Sequence, residues 1–90
     1  MANPECLRVD GERVVAALQQ AGESLGTAEG KLTLDFSSVQ RIDANSLKAM
    51  EELAGKADAQ GVKLVLGGVN IGVYKVLTLV KLASRFSFVS

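Results

Sequence analysis

A single α/β domain with a mostly parallel β-sheet is the fold this chain predicts, and three observations predict it. Strand-like and helix-like runs alternate from end to end in the order β-α-β-α-β-α-β. Each connection between strands is long enough to be a helix, which favours parallel strands joined by right-handed crossovers. Ninety residues leave room for one core only, so residues 1–90 form one domain. A chain of this size buries roughly 60–65% of its unfolded surface on folding, enough for modest independent stability.

Taken in order, "CLRVD" (Cys6–Asp10) alternates apolar and polar residues and stops at the turn pair Asp10-Gly11, as a short strand does. From Glu12 the period changes. Val14, Leu18, Ala21 and Leu25 fall at i, i+4, i+7 and i+11 with Val15 beside them, the apolar stripe of a first helix. Gly22 is expected to end or weaken it. "GTAEG" (Gly26–Gly30) reads as a loop. "KLTLDF" (Lys31–Phe36) is a second strand with Leu32, Leu34 and Phe36 on one face and Thr33 and Asp35 on the other. "SSVQRID" (Ser37–Asp43) leads out of it, with Val39 and Ile42 as buried anchors.

Leu47, Met50, Ala54 and Ala57, joined by Leu53, then mark the clearest helix in the chain. Lys48–Glu52 and Glu52–Lys56 are i,i+4 pairs on its opposite face, and Gly61 is the expected C-terminal cap. "VKLVLGG" (Val62–Gly68) is nearly all apolar, as expected for a strand covered on both faces. "NIGVYKVLTLVKLA" (Asn70–Ala83) is a third helix with a narrow polar stripe of Lys75, Thr78 and Lys81. Such a helix is either sandwiched in a core or presents a spare apolar face to a partner, and deeper burial is the expectation. "FSFV" (Phe86–Val89) alternates again as a last short strand.

Composition removes several classes of function. Ten Lys and Arg balance ten Asp and Glu, so there is no overall basic field to hold a nucleic acid or an anionic lipid surface. Cys6 is the only cysteine and histidine is absent, which excludes disulfide scaffolds and Cys/His metal sites and fits a reducing, cytoplasmic compartment. "MANPECLRVD" has neither a basic stretch nor an apolar core, so it is no secretory signal. The longest uncharged runs, such as Leu64–Tyr74, are too short and Gly-rich to span a bilayer.

The same counts leave little for catalysis. Without histidine, the usual nucleophile–base–orienter sets are unavailable, and Ser46 and Lys48, two apart on a helix, face different directions. "GGVNIGVYK" (Gly67–Lys75) sits where phosphate loops sit but matches neither G-x-x-x-x-G-K-[ST] nor G-x-G-x-x-G. Gly67, Gly68 and Asn70 are expected to supply a turn and a cap there. Asp35, at a strand end, is expected to point to solvent or take nearby backbone N–H groups. No enzyme activity, cofactor or metal is expected.

"QRIDANSLKAM" (Gln40–Met50) carries Asp43, Asn45 and Ser46 where the chain turns into its second helix. Asp43 or Asn45 as N-cap would accept the first free N–H groups. A helix N-terminus also bears partial positive charge suited to a phosphorylated side chain. The residues by themselves carry both readings.

From Lys31 to Val89 the chain resembles the STAS domain, named for sulfate transporters and anti-sigma factor antagonists. A strand ending in "LDFSSV", an Asp-x-x-x-Leu turn into a helix, "GVKLVL" and a helix of the "VYKVLTLVKL" kind carry the resemblance, and Glu12–Leu25 fits the family's first helix. The resemblance implies a small sheet with helices packed mainly on one side. In bacterial anti-sigma factor antagonists the turn reads Asp-Ser-Ser-Gly-Leu or near it. A Ser or Thr there is phosphorylated by a partner that is both anti-sigma factor and kinase, and the unphosphorylated form binds that partner. Asp43 and Leu47 match the aspartate and leucine, Asn45 falls on the phosphorylated position, Ala44 precedes it, and Ser46 replaces the glycine.

Asn45 has no hydroxyl, so the resemblance implies a permanently binding-competent module, with Ser46 as the one candidate for a displaced phosphorylation. The implied partner-binding turn is Asp43, Ala44, Asn45 and Ser46, with Lys48, Glu51 and Glu52 exposed beside it and Leu47, Met50 and Leu53 in the core. The function this implies is a non-catalytic, bacterial, anti-sigma factor antagonist-like regulator of transcription that binds a kinase-like ATPase. A STAS subunit of the bacterial phospholipid transport system offers the alternative: its "GVN…VY" segment resembles Gly68–Tyr74, and it binds an ABC transporter's ATPase. "LRVDGERV" leads directly into the first helix where family members carry a strand pair. The N-terminal strand region is therefore expected to be short, leaving an edge open to a neighbour such as a second copy of the chain.

Overall fold

In the computed structural model, which describes residues 6–27 and 30–89, four strands and three α-helices alternate as the periodicities predict. They are β1 (Cys6–Arg8), α1 (Val14–Ser24), β2 (Lys31–Asp35), α2 (Ala44–Gln60), β3 (Lys63–Gly67), α3 (Ile71–Leu79) and β4 (Ser87–Val89). Two single 3₁₀ turns, Leu25–Thr27 and Ala83–Arg85, follow α1 and α3. The sheet order is β1-β2-β3-β4 and every described pair is parallel. The N-terminal segment 1–5 and part of the Gly26–Gly30 loop lie outside the described residues.

Register explains the layering. Leu7, Leu34, Leu66 and Phe88 are partners across the four strands, so they share one face of the sheet, and Leu32 pairs with Leu64 beside them. That face supplies the apolar core, together with Val14, Leu18 and Ala21 of α1, Met50, Leu53, Ala54 and Ala57 of α2, and Val73 and Leu77 of α3. Consecutive parallel strands joined by right-handed crossovers put every helix on the same side.

The other face carries Lys31, Thr33, Asp35, Lys63 and Val65. Val65 is buried but lies outside the apolar core, in register with Thr33 and Ser87. The unbroken apolar run of β3 thus does not signal two covered faces. The flanking strands of a central strand screen one valine without a second layer of helix.

Local deviations also have physical causes. Gly22 lies inside α1, which runs two residues further to Ser24. A Cβ on Gly22 would make only ordinary contact with Lys56 of α2, 3.5 Å from its Nζ, so packing does not require glycine there. Leu47 is only half-buried, packed against the rim of the core. Neither Lys48–Glu52 nor Glu52–Lys56 closes to an ion pair; the one formed among the described residues is Arg85–Asp58 at 2.7 Å. Exposed i,i+4 pairs gain too little to hold two long side chains fixed. Gly61 (φ 69°) closes α2 as expected, its N–H reaching Asp58 O at 3.2 Å.

Candidate functional site: the start of helix α2

Asp43 is the N-cap of α2. Its backbone is extended (φ −102°, ψ 179°) and its carboxylate accepts the Ser46 N–H at 2.8 Å. That N–H, and secondarily the Ser46 hydroxyl, hold the Asp43 carboxyl below the usual carboxylate range. The side chain stays exposed, so the start of the helix shows solvent a fixed negative charge.

Helical geometry sorts the rest of the turn. At about 100° per residue, Ala44, Asn45, Lys48, Glu51 and Glu52 fall on one outward face of α2, and all five are exposed. Ser46 falls on the inward face and is only 4% exposed, the one buried polar residue in the described core. The structure therefore brings five of the seven turn residues to one surface, turns Ser46 away from it, and leaves Asp43 exposed at the helix start, where it lines a crevice with Ser46.

The loop that delivers this turn is clamped from two sides. A Cβ on Gly11, in the β1–α1 turn, would stand 2.1 Å from the Ser38 carbonyl oxygen, so only glycine lets that turn pass. On the other side Gly68 has φ +70° and a Cβ there would stand 2.9 Å from Ser37 Cβ. Asn70 completes the clamp. Its Oδ1 accepts the Val73 N–H at 2.8 Å as N-cap of α3, while its Nδ2 donates to Val39 O and Gln40 O, both at 3.2 Å. Asp35 takes the Ser37 N–H at 2.9 Å, and the Ser37 hydroxyl foremost holds its carboxyl low. Gly68 and Asn70 thus supply the expected turn and cap, and Asp35 takes nearby backbone.

Arg13 and Arg41, which sequence reasoning did not single out, line a crevice of about 470 Å³ with Asp43 and Ser46 at the carboxyl ends of β1 and β2. Nothing in a linear pattern marks them: they meet only because the β1–α1 and β2–α2 loops emerge at the same end of a parallel sheet. Among the described residues no three His, Cys, Asp or Glu side chains group as metal ligands, and no helix is long and apolar enough to cross a membrane.

This architecture has known counterparts. The profile of a family described as "Mlab, STAS domain" matches residues 5–89, nearly the whole chain. The chain belongs to the STAS domain family. The crystal structure of TM1081 from Thermotoga maritima, described as a candidate anti-sigma factor antagonist, superposes with a TM-score of 0.71 at 22% identity, over 93% of this chain and 72% of that one. The NMR structure of TM1081 gives 0.78 at 20% identity, over 100% of this chain and 77% of that one. At these identities the two structures establish a shared fold. No curated protein sequence matches the chain.

Proposed function

We propose that this chain is a non-catalytic STAS interaction module, acting in the cytoplasm, that docks an ATPase-type protein through the start of α2 and is held in its binding-competent state. The observation that carries the reading is the absence of an accessible hydroxyl on the outward face of the turn: Asn45 is exposed and has none, and Ser46 is 4% exposed beneath it. The near-complete burial of Ser46, at the floor of the crevice lined by Arg13 and Arg41, supports a turn that is not phosphorylated. Asp43, Ala44, Asn45, Lys48, Glu51 and Glu52 are the contact residues, and the clamped loop presents them in one geometry, which lowers the ordering cost of binding.

The first partner class is a kinase-like anti-sigma factor, which would make this a regulator of the anti-sigma antagonist kind. The fold shared with TM1081 supports it. The second is the ATPase of an ABC-type phospholipid transporter. The family description naming Mlab supports that class, as does the resemblance of Gly68–Tyr74 to a transport-system STAS subunit, and a turn without a phosphorylatable side chain suits a standing subunit.

Affinity purification from the native cell, with co-purifying chains identified by mass spectrometry, tests both. A soluble anti-sigma ATPase assigns the first class; a transporter ATPase with its permease assigns the second. Asn45→Asp, which adds negative charge where a phosphate would lie, is expected to weaken partner binding about tenfold, or 1.4 kcal/mol; equal affinity would put the interface elsewhere. The intact mass of native protein should carry no phosphate on Ser46 under any growth condition, and a shift located to Ser46 would overturn the fixed-state reading.

A further inference from the structure

All five large apolar side chains that stand exposed among the described residues fall between positions 71 and 89. Ile71 is 73% exposed, Tyr74 47%, Leu79 81%, Val80 45% and Val89 52%. Ile71, Lys75 and Leu79 follow at four-residue spacing along the outward crest of α3, while only Val73 and Leu77 of that helix are buried. The Tyr74 ring stands edge-on to Phe88 of β4, centroids 5.1 Å apart. Beside this pair lies a groove of about 350 Å³ lined by Val69, Asn70, Ile71, Tyr74, Phe88 and Val89.

The groove lies at the C-terminal end of an edge strand, between β4 and the first turn of α3. Among the described residues β4 pairs with β3 alone, and its three residues, Ser87, Phe88 and Val89, include neither a charge nor a proline. The opposite edge, β1, carries the exposed Arg8. Charged residues on an edge strand discourage pairing with another chain, and β4 lacks that protection.

Charge selects the occupant. The balanced composition hides a segregation: every acidic residue lies at or before Asp58, so residues 59–90 hold Lys63, Lys75, Lys81 and Arg85 and no acid. Asp58 neutralises Arg85, whereas Lys75 and Lys81 have no ion-pair partner among the described residues. An apolar groove, an uncharged strand edge and two unpaired lysines, Lys75 on the crest and Lys81 just beyond the end of α3, fit one kind of ligand.

We propose that the α3–β4 face binds an extended, acidic segment of a partner protein. The segment adds as a strand to the β4 edge, places an apolar side chain in the groove between Tyr74 and Val89, and sets carboxylates against Lys75 and Lys81. Lys75 and Lys81 are too few to hold an anionic bilayer without further basic residues, and a second copy of the chain would bring lysines to lysines at this face. The surface shares no residue with the start of α2, so the proposal stands whether or not the docking reading of that turn holds.

Short random peptides displayed on phage, selected on the purified chain, test this. The enriched peptides are expected to alternate apolar and acidic residues, and to shift the amide resonances of Ile71, Tyr74, Phe88 and Val89. Their affinity should fall with salt and drop about tenfold or more on Lys75→Glu and on Ile71→Asp, which alter exposed side chains and should melt with the wild type. Selection on Lys75→Glu should enrich basic peptides instead. Failure to enrich, enrichment of basic or neutral peptides on the wild type, shifts confined to residues 43–52, or indifference to both variants would overturn the proposal. So would the same face binding phosphatidylglycerol vesicles in place of peptide, or self-associating in sedimentation with loss on Ile71→Asp.

Discussion

Asp43 at the start of α2 and Asn70 at the start of α3 do the same local job. Each has an extended backbone and accepts the N–H three residues on at 2.8 Å. Their surroundings then diverge. A carboxylate can only accept, so Asp43 stays exposed beside a polar helix face; a carboxamide also donates, and Asn70 reaches back to Val39 O and Gln40 O. Beyond the caps, α2 turns charged residues outward, whereas α3 turns out isoleucine, tyrosine and leucine. A capping motif thus fixes where a helix begins and says nothing about which face the fold will cover.

The contrast can be broken most severely at the clamp. Gly68→Ala adds a methyl group against Ser37 at a positive φ and is expected to cost about 3 kcal/mol, read from urea unfolding. A loss under 1 kcal/mol would mean that the two loops part readily. Asn70→Ala should cost about 2 kcal/mol, one share for the cap and one for the two donated bonds. Asn70→Ser keeps a cap but cannot span to Val39 and Gln40, so it should recover about half of that loss. Equal losses for the two would show the clamp to be energetically idle.

Acid probes the other cap. The Asp43 carboxyl is held low in the folded state, so its stabilising effect is complete above its unfolded pKa, near about 4, and is lost as pH falls through the lower folded value. Asp43→Asn keeps an acceptor without the titration, so the stability gap between it and the wild type should be constant above about pH 5 and narrow below pH 4. A gap independent of pH would mean that charge adds nothing to the cap. The smallest effect belongs to the crest of α3: Ile71→Asp and Lys75→Glu should each leave stability within about 0.5 kcal/mol of wild type, because neither side chain is packed.

Much of this was legible in the sequence because it is periodic or local. The stripe Val14–Leu18–Ala21–Leu25 is buried as spaced, Asp43 and Gly61 bracket α2, and the order of elements follows from the change between two-residue and helical periods. Apolar content misled where coverage depends on neighbours. The composition of α3 suggested deep burial, yet one layer of helices on one sheet leaves its outer side with nothing to pack against. Gly22 marked the end of α1 only to within two residues, because a single glycine lowers helix propensity without stopping the helix.

The sequence by itself determined the alternation of strands and helices, their caps, the family, and the loss of a hydroxyl at position 45, since all of these rest on residue type and spacing along the chain. The tertiary structure alone decided that Ser46 faces inward, that Gly11, Gly68 and Asn70 grip one loop, and that the apolar crest of α3 lies beside an open strand edge. Those outcomes depend on which segments a parallel sheet sets side by side, and residues some 30 positions apart, such as Val39 and Asn70, meet only once the sheet has formed.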